Sequence, residues 1–359
     1  MKASKLRVIR SAGLLVGVVL TQVCFSNPSF SQSSFYEGKT ITVVAGTAAG
    51  GAGDMRTRAV VFVLKKHIPG NPAIIMEYMP GGGGRKAGNH IYKATRPDGL
   101  TIGAMTSGFV PAAVLGEVGV FYDLDKVIYL GSRGSATPSY VLVTRKGAGL
   151  NTLEKLRAAS GVRFGAPSVG HTIYIAGRLF AYVLETKEPK FITGYAPAEI
   201  DLALERGEVD ARANTGDTII RRTPHWIDKE LMDFHAILEV PKGRKHPHPR
   251  FAKLPDLENF ARSDGDRKLL AMDRAFRITG QPFILPPGTP KEGVQILQDA
   301  MRKTFKDPEF YTEYKKLAGE EAAALMPEEL EKAIKDLPRE PEIIDLFKKL
   351  SGADPLPRR

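Results

Sequence analysis

The feature that most constrains this chain is a recurring order of strand, glycine-bearing turn and helix. "KTITVVAG", from Lys39 to Gly46, alternates β-branched residues and stops at a glycine, as a buried strand does. "AAGGAGD" then opens "MRTRAVVFVLKKHIPG", where Met55, Ala59, Phe62 and Val63 keep helical spacing and Pro69-Gly70 ends the element. "AIIMEYM" predicts a second strand and "RKAGNHIYKAT" a helix. The turn Pro97-Asp98-Gly99 then leads into "LTIGAMTS", a third strand. Strands alternating with helices specify the α/β class, a parallel sheet whose crossovers are helical.

The order recurs downstream. "SYVLVTRKG", "GVRFGAP", "PKFITGY" and "VDARANT" predict strands, separated by helical stretches at "NTLEKLRAA", "TIYIAGRLFAYVLE" and "APAEIDLALERGE". A proline-rich polar stretch from Val240 to Leu257 reads as a surface excursion. Beyond "RAFRITGQPFILPPGTP" the chain turns helical to its end. Thr289-Pro290-Lys291-Glu292 predicts a capping box with proline at the first helical position, and Asp307-Pro308-Glu309 a similar start. The expectation is two α/β halves and a helical C-terminal tail.

The first 32 residues have the three parts of a secretory leader. Lys2, Lys5, Arg7 and Arg10 precede the apolar "SAGLLVGVVLTQVCF", which is followed by the small polar "SNPSFSQSS". The apolar run falls short of the roughly 20 residues of a membrane span, so cleavage is expected. "TQVC" is a poor acylation signal, because the bulky Val23 precedes Cys24. Removing the four leader cations from the formal +11 leaves +7, a mild bias toward anionic ligands. Cys24 is the single cysteine, so the mature chain has neither a disulfide nor a thiolate metal site. Its basic residues lie scattered without interleaved aromatics, which gives nucleic-acid binding little support.

Two loops carry the candidate chemistry. "GTAAGGAGD", Gly46 to Asp54, follows a strand and opens a helix, where unpaired N–H groups and the helix dipole favour an anion. Asp54 is a candidate cap there. "GAPSVGHT", Gly165 to Thr172, repeats the arrangement, with Ser168 and Thr172 offering hydroxyls and Val169 to Ile173 offering backbone donors. Neither loop is a dinucleotide fingerprint or a Walker loop. The run "MPGGGGRKAGNH" also lacks that spacing and reads as a tight strand-to-helix turn, to whose positive field Arg85 and Lys86 at most contribute. A nucleophilic Ser168 with His171 lacks the glycine that an elbow needs two residues earlier, where Ala166 stands. His246-Pro247-His248 is a weak metal candidate, and Trp226 is expected to pack. Two hydroxyl-bearing helix starts, one in each half, suit a small anion held between domains.

"FYEGKTITVVAGTAAGGAGDMRTRAV" resembles the first strand and loop of the tripartite tricarboxylate transporter substrate-binding receptors, the Bug family. "MPGGGGRKAGNHIYKATRPDGLTIG", "FGAPSVGHTIYIAGRLF", "GYAPAEIDLALERGEVDAR" and "PPGTPKEGVQILQDAMRKTFKDPEF" are similar to its further segments, in order along the mature chain. The resemblance implies a type II periplasmic binding protein fold: two α/β domains with a cleft between them and a helical tail. It implies an extracytoplasmic receptor that closes over a small organic carboxylate and delivers it to membrane transporter subunits. The ligand-binding positions so implied are Thr47, Ala48, Gly50, Gly51, Gly53 and Asp54 in the first loop. Thr106 and Ser107 follow the third strand. Ser168, Val169, Gly170, Thr172 and Ile173 form the second loop, and Asn214 and Thr215 end a later strand.

Thr47 replaces the family's common aromatic and Asn214 its frequent aspartate, so ligand identity does not transfer. Asn214 lacks the charge that would favour an amino group on the ligand, and Arg178 and Arg212 are candidate partners of a distal carboxylate. The expected division is a signal peptide over 1–32, domain 1 over 33–137 and 277–359, and domain 2 over 138–276. Hinges are expected near Ala136 to Tyr140 and Phe276 to Gly280. A monomeric periplasmic protein is expected, with no cofactor, metal or catalytic residue. Alternatives are a sensory ligand-binding protein and an exported hydrolase using Ser168.

Overall fold

Each of the two sheets contains one strand that runs against its neighbours, which the expected parallel grammar did not contain. The structure, a computed structural model, describes residues 35–134, 139–319 and 321–359. The leader and the Ala136 end of the first hinge lie outside the described residues. The first sheet is built from β1 (Thr40–Ala45), β2 (Ala73–Tyr78), β3 (Thr101–Ala104), β4 (Ile128–Arg133) and β10 (Gln281–Leu285). The second uses β5 (Tyr140–Arg145), β6 (Arg163–Gly165), β7 (Lys190–Ile192), β8 (Ala211–Thr215) and β9 (Met232–Leu238).

Their orders, β2-β1-β3-β10-β4 and β7-β6-β8-β5-β9, correspond position by position. β1 pairs in parallel with β2 and β3, as β6 does with β7 and β8. The antiparallel members are β10 in one sheet and β5 in the other. Both are strands that arrive from the opposite half. Such a strand enters at the edge where the parallel strands end, so it must run away from that edge. Parallel strands need helical crossovers, whereas these two are fed directly across the boundary.

The helices of the first half are α1 (Ala52–His67), α2 (Arg85–Asn89) and α3 (Phe109–Val114). Those of the second are α4 (Leu153–Ala158), α5 (Thr172–Val183), α6 (Glu199–Arg206), α7 (Gly216–Arg222), α8 (His225–Asp228) and α9 (Pro249–Ala252), with α10 (Asp264–Thr279) leading back. The tail comprises α11 (Lys291–Lys306), α12 (Pro308–Ala318), α13 (Pro327–Lys335) and α14 (Pro341–Ser351). Asp307 caps α12 by accepting the Glu309 N–H, with proline at the first position as expected. The expected box at Thr289 does not form. Pro290 occupies the cap position of α11, and the Thr289 hydroxyl donates instead to Pro286 O at 2.8 Å.

The tail is more than an appendage. One apolar core runs from Val44, Ile91 and Met105 under the first sheet to Leu142, Phe164 and Leu179 under the second. Leu269 and Phe276 of α10, Leu330 of α13 and Phe347 of α14 bridge them, each buried. Full burial of such a side chain contributes roughly 1.5–3 kcal/mol, so these helices contribute to the stability of both halves through a shared core. The stretch after Val240 also departs from a pure surface excursion. Val240, His246 and Phe251 are buried in it, and the His246 ring meets the Phe251 ring edge-on at 5.2 Å.

Candidate functional site

The first loop leaves β1 at the carboxyl edge of its sheet and enters α1. Gly51, in an extended conformation, is the cap residue, and Asp54 lies in the first turn rather than at the cap. Asp54 is buried and reaches back to fix the loop. Its carboxylate accepts the Gly50 N–H at 2.8 Å, the Tyr78 hydroxyl at 2.9 Å and Arg58 Nε at 3.0 Å. Burial alone would raise its pKa, but the Gly50 N–H, Arg58 and Tyr78 together hold it below the ordinary carboxylate value. Gly50 has φ +76°, so the loop bends in the left-handed region, where side chains are disfavoured. Gly53 is required for another reason: a Cβ there would stand 2.5 Å from Thr47 Cγ2. Thr47 Oγ1 is buried beside it without a hydrogen-bond partner. Ala48, Gly50 and Gly51 are exposed.

Behind this loop lies Arg133, the last residue of β4, which no sequence motif singles out. Its guanidinium is buried over the Phe283 ring at 5.1 Å, with Nε donating to Gln281 Oε1 at 2.8 Å and Nη2 to Gly53 O at 3.4 Å. Desolvation brings its pKa down to about 9, which keeps it charged at neutral pH. The four-glycine run sits under the same edge. The Thr106 hydroxyl donates to Gly83 O at 2.7 Å, and a Cβ on Gly84 would stand 2.2 Å from Thr106 Oγ1. The glycines therefore let the turn pass beneath Thr106, and Arg85 is paired with Glu117. Ser107 follows, exposed.

The second loop leaves β6 and enters α5. Ser168, Val169, Gly170 and Thr172 are exposed, while Ile173 is buried. His171 is the cap: its Nδ1 accepts the Ile173 N–H at 3.1 Å. The Ile173 donor is thus already engaged, which leaves Val169, Gly170 and Thr172 at the open end. Desolvation lowers the His171 pKa, in keeping with a neutral ring whose Nδ1 accepts. A ring committed to capping is poorly placed to serve Ser168 as a base.

Asn214 and Thr215 end β8. The Thr215 hydroxyl caps α7, bonding Thr218 Oγ1 at 2.7 Å, and its N–H donates to Asn214 Oδ1 at 3.0 Å. Next to them the two crossovers meet. Tyr140, at the start of β5, donates its hydroxyl to Thr172 Oγ1 at 3.3 Å. Arg277, in the last turn of α10, lies 4.1 Å over the Tyr140 ring and pairs with Asp273. Gly280 follows with φ +53° and ψ −115°, between α10 and β10. The structure thus collects Thr47–Asp54 and Thr106–Ser107 at one sheet edge. Ser168–Ile173 and Asn214–Thr215 gather at the corresponding edge of the other. Arg133, which adds positive charge near the first edge, and Arg277, whose charge Asp273 balances, have no local signal in the sequence.

Arg178 does not serve as a ligand partner. It is buried between the Tyr174 and Phe191 rings and donates to Leu350 O (2.9 Å), Lys349 O (3.2 Å) and Asp354 O (2.7 Å). These carbonyls lie at and just beyond the end of α14, so Arg178 clamps the C-terminal tail onto the helix that carries the second loop. A cavity of about 500 Å³ between tail and loop is lined by Val169, Tyr174, Phe191, Thr193 and Leu356. Trp226 packs as expected, buried, with Nε1 donating to Glu205 Oε1 at 2.6 Å. Among the described residues no group of three or more metal-ligating side chains occurs, and no helix is long and apolar enough to cross a membrane.

No protein-family model and no curated protein matches this sequence. Solved structures match the fold over 88% of the chain. They include a TctC solute-binding protein from Polaromonas (18% identity, 98% of that chain, TM-score 0.64) and the periplasmic binding protein BugD (20%, 98%, 0.54). MatC from Rhodopseudomonas palustris with bound malate also matches (19%, 99% of that chain, 0.52). The fold is that of a periplasmic binding protein. Open α/β sheets bind ligands beyond the carboxyl ends of their strands, and both loops described above lie at such edges.

Proposed function

We propose that this chain is an extracytoplasmic receptor of the tripartite tricarboxylate transporter type. It captures a small organic carboxylate between its halves and passes it to membrane transporter subunits in the periplasm. The observation that carries this reading is the matched pair of helix starts. α1 and α5 each begin at a glycine-bearing loop on equivalent edges of two sheets with the same strand order. Each presents N–H groups and hydroxyls, and the buried guanidinium of Arg133 stands behind the first. This equipment binds a carboxylate and needs no nucleophile.

The fold relatives named above support the reading, because one is a solute-binding protein and another holds malate. Domain 1 comprises 33–137 and 277–359, and domain 2 comprises 138–276. Closure turns on the crossovers where Arg277 meets Tyr140. A thermal-shift series on mature protein with mono-, di- and tricarboxylates tests this. A true ligand at about 100 times its Kd stabilises the fold by roughly 2.7 kcal/mol. Ser168→Ala should weaken binding modestly. Hydrolysis of a carboxylic ester that this variant abolishes, or a series with no shift at all, would defeat the proposal.

A further inference from the structure

The chain passes from the first sheet to the second between Arg133, the last residue of β4, and Tyr140, the first of β5. It returns between Arg277, in the last turn of α10, and Gln281, the first residue of β10. These four residues pair across the two passages. Gln281 lies opposite Arg133 in the ladder, and its Oε1 accepts from Arg133 Nε at 2.8 Å. Arg277 lies 4.1 Å over the Tyr140 ring, its own charge met by Asp273 at 2.5 and 3.1 Å.

Each pair also holds one of the two loops. Arg133 Nη2 donates to Gly53 O, in the first turn of α1, at 3.4 Å. Tyr140 donates its hydroxyl to Thr172 Oγ1, at the start of α5, at 3.3 Å. The Arg133 guanidinium is buried and its Nη1 has no partner, so Gln281 and the Phe283 ring fix its fork against Gly53. A buried guanidinium with a free amino group is less stabilising than an apolar side chain of similar bulk, which argues for a use beyond packing. Thr172, having accepted from Tyr140, keeps its own hydroxyl proton for an outside acceptor.

We propose that Arg133 and Tyr140 are positioning residues, each tying the start of one loop-bearing helix to the junction of the two halves. Their partners on the return passage set how firmly each loop is held: Gln281 acts on the first through Arg133, and Arg277 on the second through Tyr140. The proposal rests on the receptor reading only for what the loops bind, because the linkage belongs to the unliganded chain.

Site-resolved hydrogen exchange on the unliganded mature protein tests it. Gly50 and Met55, whose N–H groups donate to Asp54 Oδ2 and Gly51 O, report on the first loop. Ile173 and Ile175, which donate to His171 Nδ1 and His171 O, report on the second. Gln281→Leu should speed exchange at Gly50 and Met55 about fivefold, the scale of one hydrogen bond, and leave the other two amides unchanged. Gln281→Glu, which gives Arg133 a charged partner, should slow the same two amides. Tyr140→Phe keeps the ring over Arg277 and should speed exchange only at Ile173 and Ile175. Arg277→Met should do likewise, and Tyr140→Phe decides the matter if that variant fails to fold. Exchange that rises at all four amides together, or at none, would overturn the proposal. With succinate, malate and adipate as probes, any acid that binds the parent should bind Gln281→Leu and Tyr140→Phe about fivefold more weakly. Unchanged affinity would overturn the positioning role as well. Binding of no acid would bring down the receptor reading, and the exchange rates alone would then decide the linkage.

Discussion

Asp54→Asn isolates what holds the first loop. The carboxylate accepts from Gly50, Tyr78 and Arg58 at 2.8–3.0 Å and is 1% exposed. An asparagine keeps one acceptor oxygen, enough for Gly50 or Tyr78, and turns an N–H₂ toward Arg58. The loss is chiefly the charge-assisted bond, which is worth about 1.5–3 kcal/mol. Arg58 is half exposed, and the resulting screening puts the expected cost near the low end, about 2 kcal/mol. The transition temperature should fall by roughly 2–4 °C for each of those kcal/mol.

The pH dependence supplies the sharper test. The folded pKa of Asp54 is depressed, so its stabilisation is complete above the unfolded value, near 3.9. It is lost as pH falls through the lower folded value. Differential scanning calorimetry of both proteins should therefore give parallel curves from pH 5 to 8, converging below about 4, where a protonated Asp54 resembles asparagine. A difference that persists undiminished to pH 3, or none at pH 7, would refute this account of the loop.

Two further outcomes follow from the buried polar groups. Arg178→Met keeps the bulk between the two rings but strands three carbonyls of the tail, at about 1 kcal/mol each; limited proteolysis should then trim the chain beyond Lys349. A tail as resistant as that of the parent would show that Arg178 is not its clamp. His235 is buried against Thr144 Oγ1 at 2.7 Å, and desolvation pushes its pKa down to about 4. The unfolded chain takes up the proton first, so stability should fall from about pH 6.5 toward 4, by up to about 1.4 kcal/mol per unit. Denaturant melts should show His235→Gln flatter over that range, a window above the one in which Asp54 acts.

Much of the fold was legible because its signals are local. β1, β2 and β3 announce themselves by alternation, and the turns by glycine and proline. The start of α12 is read from Asp307-Pro308-Glu309. The two loops were found for the same reason, each being a short stretch between a strand and a helix. What escaped depends on residues far apart. β4, β9 and β10 carry weaker local patterns, and the antiparallel sense of β5 and β10 follows only from which half the chain has just left. The Thr289 box looked sound by spacing, yet its hydroxyl found Pro286 O closer.

The sequence by itself determined the class of fold, the two loop-to-helix starts and the absence of an internal disulfide, since these rest on neighbours along the chain and on composition. Only the tertiary structure decided what each charged residue does. Arg178, a candidate ligand contact by position, clamps a tail some 170 residues away. Arg133, with no motif around it, stands behind the first loop. Arg212, the other candidate, is buried and bonded to Asp201 and Pro197 O within its own half. A guanidinium carries five donors and no preferred partner in sequence, so its role is set by whichever acceptors the fold brings within reach.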